Sequence, residues 1–238
     1  MQAIILAGGQ GIRLKPYTTV LPKPLLPVNE KPIIEIIIRQ LAEAGIKEII
    51  VSVGYLGQLL EAYLRDGSQY GIKIDYSREE KPLGTAGPIS LIDNVSDDFF
   101  VINGDTLCDV DFTTMLQEHR DSANAATVSA YRKKHTIDLG TLELDDNLQI
   151  TAYNEKPTID YIVSMGIYVF KSSVKKELEV GAHLDLPDFI MQLRDKGYGV
   201  GAYMHSGIWM DMGRPSDFEK IQDEESLSSQ VKALIGKK

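Results

Sequence analysis

The segment from Ala3 to Pro27, AIILAGGQGIRLKPYTTVLPKPLLP, limits what this chain can become more than any other. Ala3 to Ala7 is an apolar run without alternation, the pattern of a strand buried on both faces within a parallel sheet. Gly8, Gly9 and Gly11 end it, and Pro16, Pro22, Pro24 and Pro27 then forbid a long helix. What remains is an extended arm that carries Arg13, Lys15 and Lys23 back past the glycines. Pro22 and Pro24 restrict the backbone around Lys23, so its ammonium group is pre-positioned.

Glycine lets backbone N–H groups approach a ligand closely, so a glycine turn at a strand's C-terminal end can surround a phosphate with donors. That edge is where open α/β sheets bind ligands. The bland alternatives are a tight turn without a ligand and, for Lys23, an ordinary surface lysine. Two specific phosphate loops are excluded. Gly11 is followed by Ile12-Arg13 where a P-loop needs Lys-Ser/Thr, and Leu14 stands where a dinucleotide fingerprint needs glycine. A dehydrogenase is disfavoured on the same grounds and by the prolines.

Farther along, apolar spacing predicts a helix over Lys31–Ala44 opening at Pro32, a strand at Glu48–Val53, a helix at Leu56–Leu64 and a strand at Ile72–Tyr76. This βαβα order implies an α/β fold with a mostly parallel sheet. The glycine-rich stretch Glu80–Pro88 follows, with Thr85 placed to cap an apolar helical stretch. Phe99–Asn103 reads as a strand that delivers Gly104-Asp105 to its end. Asp105 there is either a turn former or a ligand for a hard cation such as Mg²⁺. From Ala125 the pattern turns to strands, at 125–131, 140–144, 148–153 and 162–170, with Asp145-Asp146-Asn147 as a turn signal. Trp209-Met210-Asp211-Met212-Gly213 follows a short strand near Gly207, and 215–238 reads as two helical segments broken at Asp223-Glu224-Glu225. The expected organisation is one domain over 1–238, in three parts: alternating strands and helices at 1–125, a strand-rich part at 126–214 and C-terminal helices at 215–238.

A net charge of −9 argues against general nucleic-acid affinity, so an anionic substrate must be held by locally placed cations. The single cysteine, Cys108, excludes an intrachain disulfide and suits a reducing compartment. No apolar run approaches membrane-spanning length and no charged leader precedes the first strand, so no membrane role is expected and a cytoplasmic location is. His119, His135, His183 and His205 lack metal-ligand spacing.

The string GGQGIRLKPYTTVLPKPLLPV, with its glycine pair, Gly-x-Arg and Pro-Lys-Pro, resembles the signature of the sugar-1-phosphate nucleotidyltransferases, and later motifs extend the likeness to about Gly213. The resemblance implies a Rossmann-like (GT-A-like) fold and a reaction between a nucleoside triphosphate and a sugar 1-phosphate, giving a nucleotide sugar and pyrophosphate. It implies nucleotide contacts from Leu6, Ala7, Gly8, Gly9, Gly11, Pro82, Gly84, Thr85, Asn103 and Gly104. Gly8, Gly9 and Arg13 would hold the β- and γ-phosphates, and Lys23 would neutralise the α-phosphate. Asp105 and Asp211 would bind Mg²⁺. Gly140 would contact the sugar through its backbone, Glu155 its hydroxyls, and Lys156 its phosphate. Ser164-Met165-Gly166 departs from the Asn-Ala-Gly type run usual there.

The wording PLGTAGPI looks most like the guanylyltransferase version, which implies GTP with mannose 1-phosphate or a heptose 1-phosphate. The alternatives are a uridylyl- or thymidylyltransferase acting on MurNAc 1-phosphate or glucose 1-phosphate, and a non-catalytic regulatory paralogue. Retention of Arg13, Lys23, Asp105, Lys156 and Asp211 favours the enzyme. The sequence leaves a homo-oligomer open.

Overall fold

The computed structural model of the protein describes residues 1–28 and 30–213; the helices expected over 215–238 lie outside the described residues. In chain order the elements are β1 (Gln2–Ala7), β2 (Pro27–Val28), β3 (Lys31–Pro32), α1 (Ile33–Glu43), β4 (Glu48–Val53), α2 (Gly57–Leu64), β5 (Lys73–Arg78), β6 (Asp98–Asn103), β7 (Thr106–Cys108), α3 (Phe112–Asp121), β8 (Ala126–Thr136), β9 (Thr141–Leu144), β10 (Ile150–Asn154), β11 (Thr158–Lys171), α4 (Leu186–Asp195), β12 (Val200–His205) and β13 (Trp209–Asp211). Three single-turn 3₁₀ helices, Ile12–Leu14, Tyr17–Thr19 and Lys23–Leu25, occupy the proline-rich arm.

Seven strands form the central sheet in the order β12-β8-β11-β6-β1-β4-β5. β1 runs parallel to both β4 and β6, β4 to β5, and β12 to β8, whereas β11 is antiparallel to β6 and β8. The sheet is therefore mostly parallel, as expected, with one antiparallel strand joining its two parts. The continuous apolar runs of β1 and β6 are explained by burial on both faces. Ala3, Ile5 and Ala7 of β1 and Phe100 and Ile102 of β6 pack with the isoleucines of α1 in one core. Ile4, Phe99 and Val101 point the other way, against Phe189 and Leu193 of α4 and Phe170 of β11. Removing an apolar side chain of this size from water stabilises by roughly 1.5–3 kcal/mol.

Two local expectations are corrected. The helix predicted to open at Pro32 begins at Ile33, because Lys31 and Pro32 pair instead with Val28 and Pro27 in a short antiparallel ladder. Thr85 does not cap the apolar stretch after it, which is a 3₁₀ helix at Gly87–Leu91 without a side-chain cap. Its hydroxyl accepts instead from the N–H of Leu186 at 2.7 Å, at the start of α4, while Asp185 Oδ1 accepts from the Thr85 N–H at 3.1 Å. Thr85 thus satisfies an orphan N–H of a helix about a hundred residues away.

Beyond the sheet, β8 and β11 continue as a long exposed pair, Arg132–Thr136 against Thr158–Ile162, and β9–β10 form a hairpin alongside. The Asp145 turn between them is real, since Asp145 Oδ1 accepts from the N–H groups of Asn147 and Gln149 at 2.9 Å each. No helix of the described residues is long and apolar enough to cross a membrane.

His119 on α3 is fully buried, with Nδ1 2.8 Å from Thr127 Oγ1 and Nε2 3.6 Å from Asp98 Oδ1. Burial holds its pKa below the usual 6.5, against the opposing pull of Asp98. The unfolded chain therefore takes up this proton first as pH falls, so the stability contribution is complete above about pH 6.5 and is lost below it. Urea unfolding at pH 7 and pH 5 should show a smaller pH-dependent loss in His119→Leu than in the wild type; equal losses would exclude His119 as the cause.

Candidate active site

β1, β4 and β6 are neighbours and parallel, so Ala7, Val53 and Asn103 end on one edge, and the turns after them meet there. The Gly104 N–H donates to Leu6 O at 2.9 Å and the Tyr55 N–H to Gly8 O at 3.3 Å, which fastens both flanking turns to the end of β1. Between them opens a cleft of about 450 Å³. The structure brings thirteen of the expected residues to its wall: Leu6, Ala7, Gly8, Gly9, Gly11, Arg13, Lys23, Pro82, Gly84, Thr85, Asn103, Gly104 and Asp105.

The arm reaches the cleft because Gly11 turns it. Gly11 has φ +61°, and a Cβ there would lie 2.9 Å from Thr18 Cγ2 and 3.3 Å from Lys23 Cβ. Its carbonyl accepts from the Leu14 N–H at 2.9 Å and the Thr18 hydroxyl at 2.8 Å, closing a compact loop. Lys23 is carried inward by this fold and is buried, its ammonium ion-paired with Asp105 Oδ2. Arg13 lines the same cleft and forms no ion pair among the described residues, which leaves its guanidinium for an anionic ligand.

Asp211 stands beside this pair rather than in the wall. β13 pairs antiparallel with β7, setting Asp211 opposite Thr106, and the Met212 N–H donates to Asp105 O at 3.3 Å. The two carboxylate-bearing residues are therefore one residue apart across a ladder. Both are hard oxygen donors of the kind Mg²⁺ accepts, with phosphates and water completing its shell. Among the described residues no group of three or more His, Cys, Asp or Glu could hold a metal.

The expected acceptor residues are not in the cleft wall. Lys156, at φ +46°, forms an exposed ion pair with Asp138 at 2.8 Å, and Glu155 beside it is exposed. Exposed pairs contribute little, so this one leaves Lys156 free to exchange partners. Gly140 packs on the Tyr153 ring, whose hydroxyl lies 2.5 Å from where a Cβ would stand. The unusual Ser164-Met165-Gly166 run has a backbone role: Met165 O accepts from Thr106 Oγ1 at 3.2 Å and Trp209 Nε1 at 3.3 Å. It braces β13 against β7.

Pro24, Glu79, Leu83, Pro88 and His183 complete the wall and were not foreseen. Glu79 is the notable one. Its Oε1 lies 2.3 Å from where a Cβ on Gly8 would be, so only glycine there admits the carboxylate to the cleft. Oε1 accepts from Ser52 Oγ at 3.2 Å and Oε2 from the Leu83 N–H at 3.1 Å. Burial nevertheless raises its pKa above the usual carboxylate range. His183 arrives because its segment is stitched to the 82–87 loop: Ala86 and Gly87 donate N–H groups to Leu184 O at 2.8 and 3.0 Å, and the Leu184 N–H donates to Leu83 O at 2.9 Å. No local sequence signal predicts that juxtaposition.

A glycine turn, an arginine without an ion pair among the described residues and a lysine–aspartate pair stand together at the C-terminal edge of a parallel sheet, the edge where open α/β sheets bind ligands. The chain belongs to the nucleotidyl transferase family, which it matches over residues 2–226. It is 33% identical over 238 residues to the UTP–glucose-1-phosphate uridylyltransferase of Synechocystis, covering 92% of this chain and 61% of that protein. It is also 33% identical over 226 residues to the mannose-1-phosphate guanylyltransferase catalytic subunit beta of Danio rerio, covering 92% of this chain and 62% of that one. The chain thus spans about three fifths of the length of both relatives. A solved structure of HddC from Yersinia pseudotuberculosis complexed with GMP-PN superposes with a TM-score of 0.70 at 25% identity, over 92% of this chain and 96% of that one.

Replacing Gly11 by alanine should cost about 1–3 kcal/mol, from the left-handed backbone and the crowding by Thr18 together. A urea midpoint unchanged from the wild type would show that the loop is not held as described.

Proposed function

We propose that this protein transfers a nucleotidyl group from a nucleoside triphosphate to a sugar 1-phosphate, with GTP as donor and mannose 1-phosphate or a heptose 1-phosphate as acceptor. The observation that carries the reading is the convergence of Gly8, Gly9, Arg13, Lys23 and Asp105 on one cleft at the sheet edge. A sugar 1-phosphate is largely a dianion at pH 7, since the second pKa of a phosphate monoester is about 6, so no general base is required. Its oxygen attacks the α-phosphorus in line, the bond from that phosphorus to the bridging β-oxygen breaks, and pyrophosphate leaves. What the protein must supply is alignment and charge neutralisation.

In this reading the Gly8–Gly9 turn and Arg13 hold the β- and γ-phosphates, with Gly11 shaping the loop. Lys23 meets the α-phosphate, and its partner Asp105 keeps the ammonium aimed until the nucleotide arrives. Leu6, Ala7, Asn103 and Gly104 floor the cleft, and Pro82, Gly84 and Thr85 border the base. Gly140, Glu155 and Lys156 serve the acceptor from the exposed β8–β11 side, Lys156 exchanging Asp138 for the sugar phosphate. Asp105 and Asp211 would hold Mg²⁺, which when bound would supply further neutralisation of the triphosphate. The likeness to the uridylyltransferase keeps uridylyl transfer as the second reading. A cytoplasmic location and a place in envelope polysaccharide synthesis fit the same picture.

Glu79 supports the guanine preference. Each carboxylate oxygen has spare acceptor capacity, and guanine presents adjacent N–H donors on its pairing edge where uracil and thymine present one N–H between two carbonyls. The structural likeness to a protein complexed with GMP-PN points the same way. A matrix of nucleoside triphosphates against sugar 1-phosphates, scored by pyrophosphate release, should give GTP a kcat/KM at least tenfold above UTP and dTTP. Glu79→Gln should erode that margin by about tenfold, the worth of a charge-assisted hydrogen bond. Because the Glu79 pKa is raised, the margin should also shrink as pH falls and the carboxyl protonates. A preference for UTP or dTTP of tenfold or more rejects the guanylyl assignment while keeping the transferase one.

Asp105→Asn and Asp211→Asn keep side-chain shape while removing charge, and each should lower turnover by orders of magnitude at limiting Mg²⁺ with folding retained by circular dichroism. Near-normal turnover in either variant would remove that residue from the metal set.

A further inference from the structure

A second cavity, of about 350 Å³, opens where α1, α2 and the turn at residues 68–70 meet, and it shares no residue with the cleft. Its wall is polar and aromatic: Glu35, Arg39, Tyr63, Arg65, Gln69 and Tyr70. Glu35 is buried and fully engaged, accepting from Arg39 Nε at 2.9 Å and from the Tyr63 hydroxyl at 2.5 Å. Arg39 in turn lies 5.3 Å over the Tyr70 ring. The Glu35 charge is thereby matched by Arg39, and Arg65 stands exposed on the cavity wall beside Asp66, whose carboxyl is held below its usual pKa mainly by Ser68 and in smaller part by the Arg65 charge. Among the described residues the Arg65 guanidinium makes no ion pair and no side-chain hydrogen bond. The neighbouring Asp66 Oδ1 accepts from the N–H and hydroxyl of Ser68.

The Arg65 backbone is the second, independent observation. It sits at φ 52° and ψ −134°, a combination that turns reserve for glycine. Both of its backbone polar groups are fixed there, the N–H donating to Glu61 O at 2.9 Å and the C=O accepting from the Tyr76 hydroxyl at 2.5 Å. Glycine would fill this position without strain. A long cation held there instead gains for the fold only a screened attraction to Asp66, and strain of this kind gathers at ligand-binding positions.

We propose that this cavity is a second ligand site, one that takes a small metabolite through a phosphate or carboxylate group, with Arg65 as its principal contact. The guanidinium fork matches either oxyanion, and the Tyr63 and Tyr70 rings offer flat walls to the body of the ligand. The volume lies at the small end of the roughly 300–1,000 Å³ usual for ligand pockets, which suits a metabolite smaller than a nucleotide. The site is separate from the reaction proposed above and stands or falls without it.

The test is calorimetric titration of the full chain with inorganic phosphate and, separately, with succinate, in the wild type and in Arg65→Gly. Glycine removes the cation and relieves the backbone, so the variant should melt at the same temperature or higher. It should lose at least tenfold in affinity, at one class of sites, for whichever anion the wild type binds; phosphate alone identifies a phosphate ligand, succinate alone a carboxylate one. Equal titrations of both anions in the two proteins would overturn the proposal, because any phosphate then bound resides in the cleft. Absence of binding of either anion to the wild type would overturn it as well.

Discussion

The placement of β1 between two parallel partners governs everything at the cleft. Leu6 pairs with Asn103 and Ala7 with Val53, so three chain reversals are forced to the same edge at the same height. A slip of one residue would exchange Ile4 for Ile5 between the two cores and misalign Gly8 with Glu79, which makes the register costly to change. The arm from Gly11 to Pro24 then folds back over this edge, and Pro24 Cγ lies 3.1 Å from where a Gly104 Cβ would stand. Lys23 and Asp105, distant in sequence, are thus pressed together by backbone packing.

The electrostatics of the edge follow from that packing. The protein is acidic overall, so the triphosphate binding proposed above cannot rest on net charge. It rests on a few donors held in a partly dry place, where each acts with less screening than at the surface. Asp105 tempers Lys23, and Glu79 adds a second carboxylate against Gly8, so the cleft carries charges of both signs instead of presenting one positive patch.

Much of this was legible in the sequence because it is written in local patterns. Apolar runs ending at glycine marked β1, β4 and β6 to within a residue, since strands buried on both faces are nearly continuous apolar runs, interrupted here only by the buried Ser52 of β4. The glycine loop, Arg13, Lys23 and Asp105 were readable from the residue types that phosphate binding requires. Lys31 and Pro32 misled because Pro32 suits a first helical residue, and only the facing Pro27-Val28 pair shows that it precedes the helix. Thr85 misled for a related reason: its local role as a cap lost to a partner on α4. Glu79 and His183 were invisible because their placement depends on long-range contacts. Gly140, Glu155 and Lys156 followed from family likeness, and their position on the outer β8–β11 arm is a matter of tertiary reach that no motif encodes.

The stitching of the 82–87 loop to residues 182–186 has a consequence for how the protein is made. That loop leaves the ribosome early, yet its backbone partners at Leu184, Asp185 and Leu186 emerge about a hundred residues later. β6 likewise waits for β11 to cover its open side. A nascent chain that has emerged only through β6 therefore has the glycine turn but an unfinished cleft wall, and presents an unpaired strand edge meanwhile. Such an intermediate keeps that open edge and the incomplete cleft until β11 and residues 182–186 have emerged.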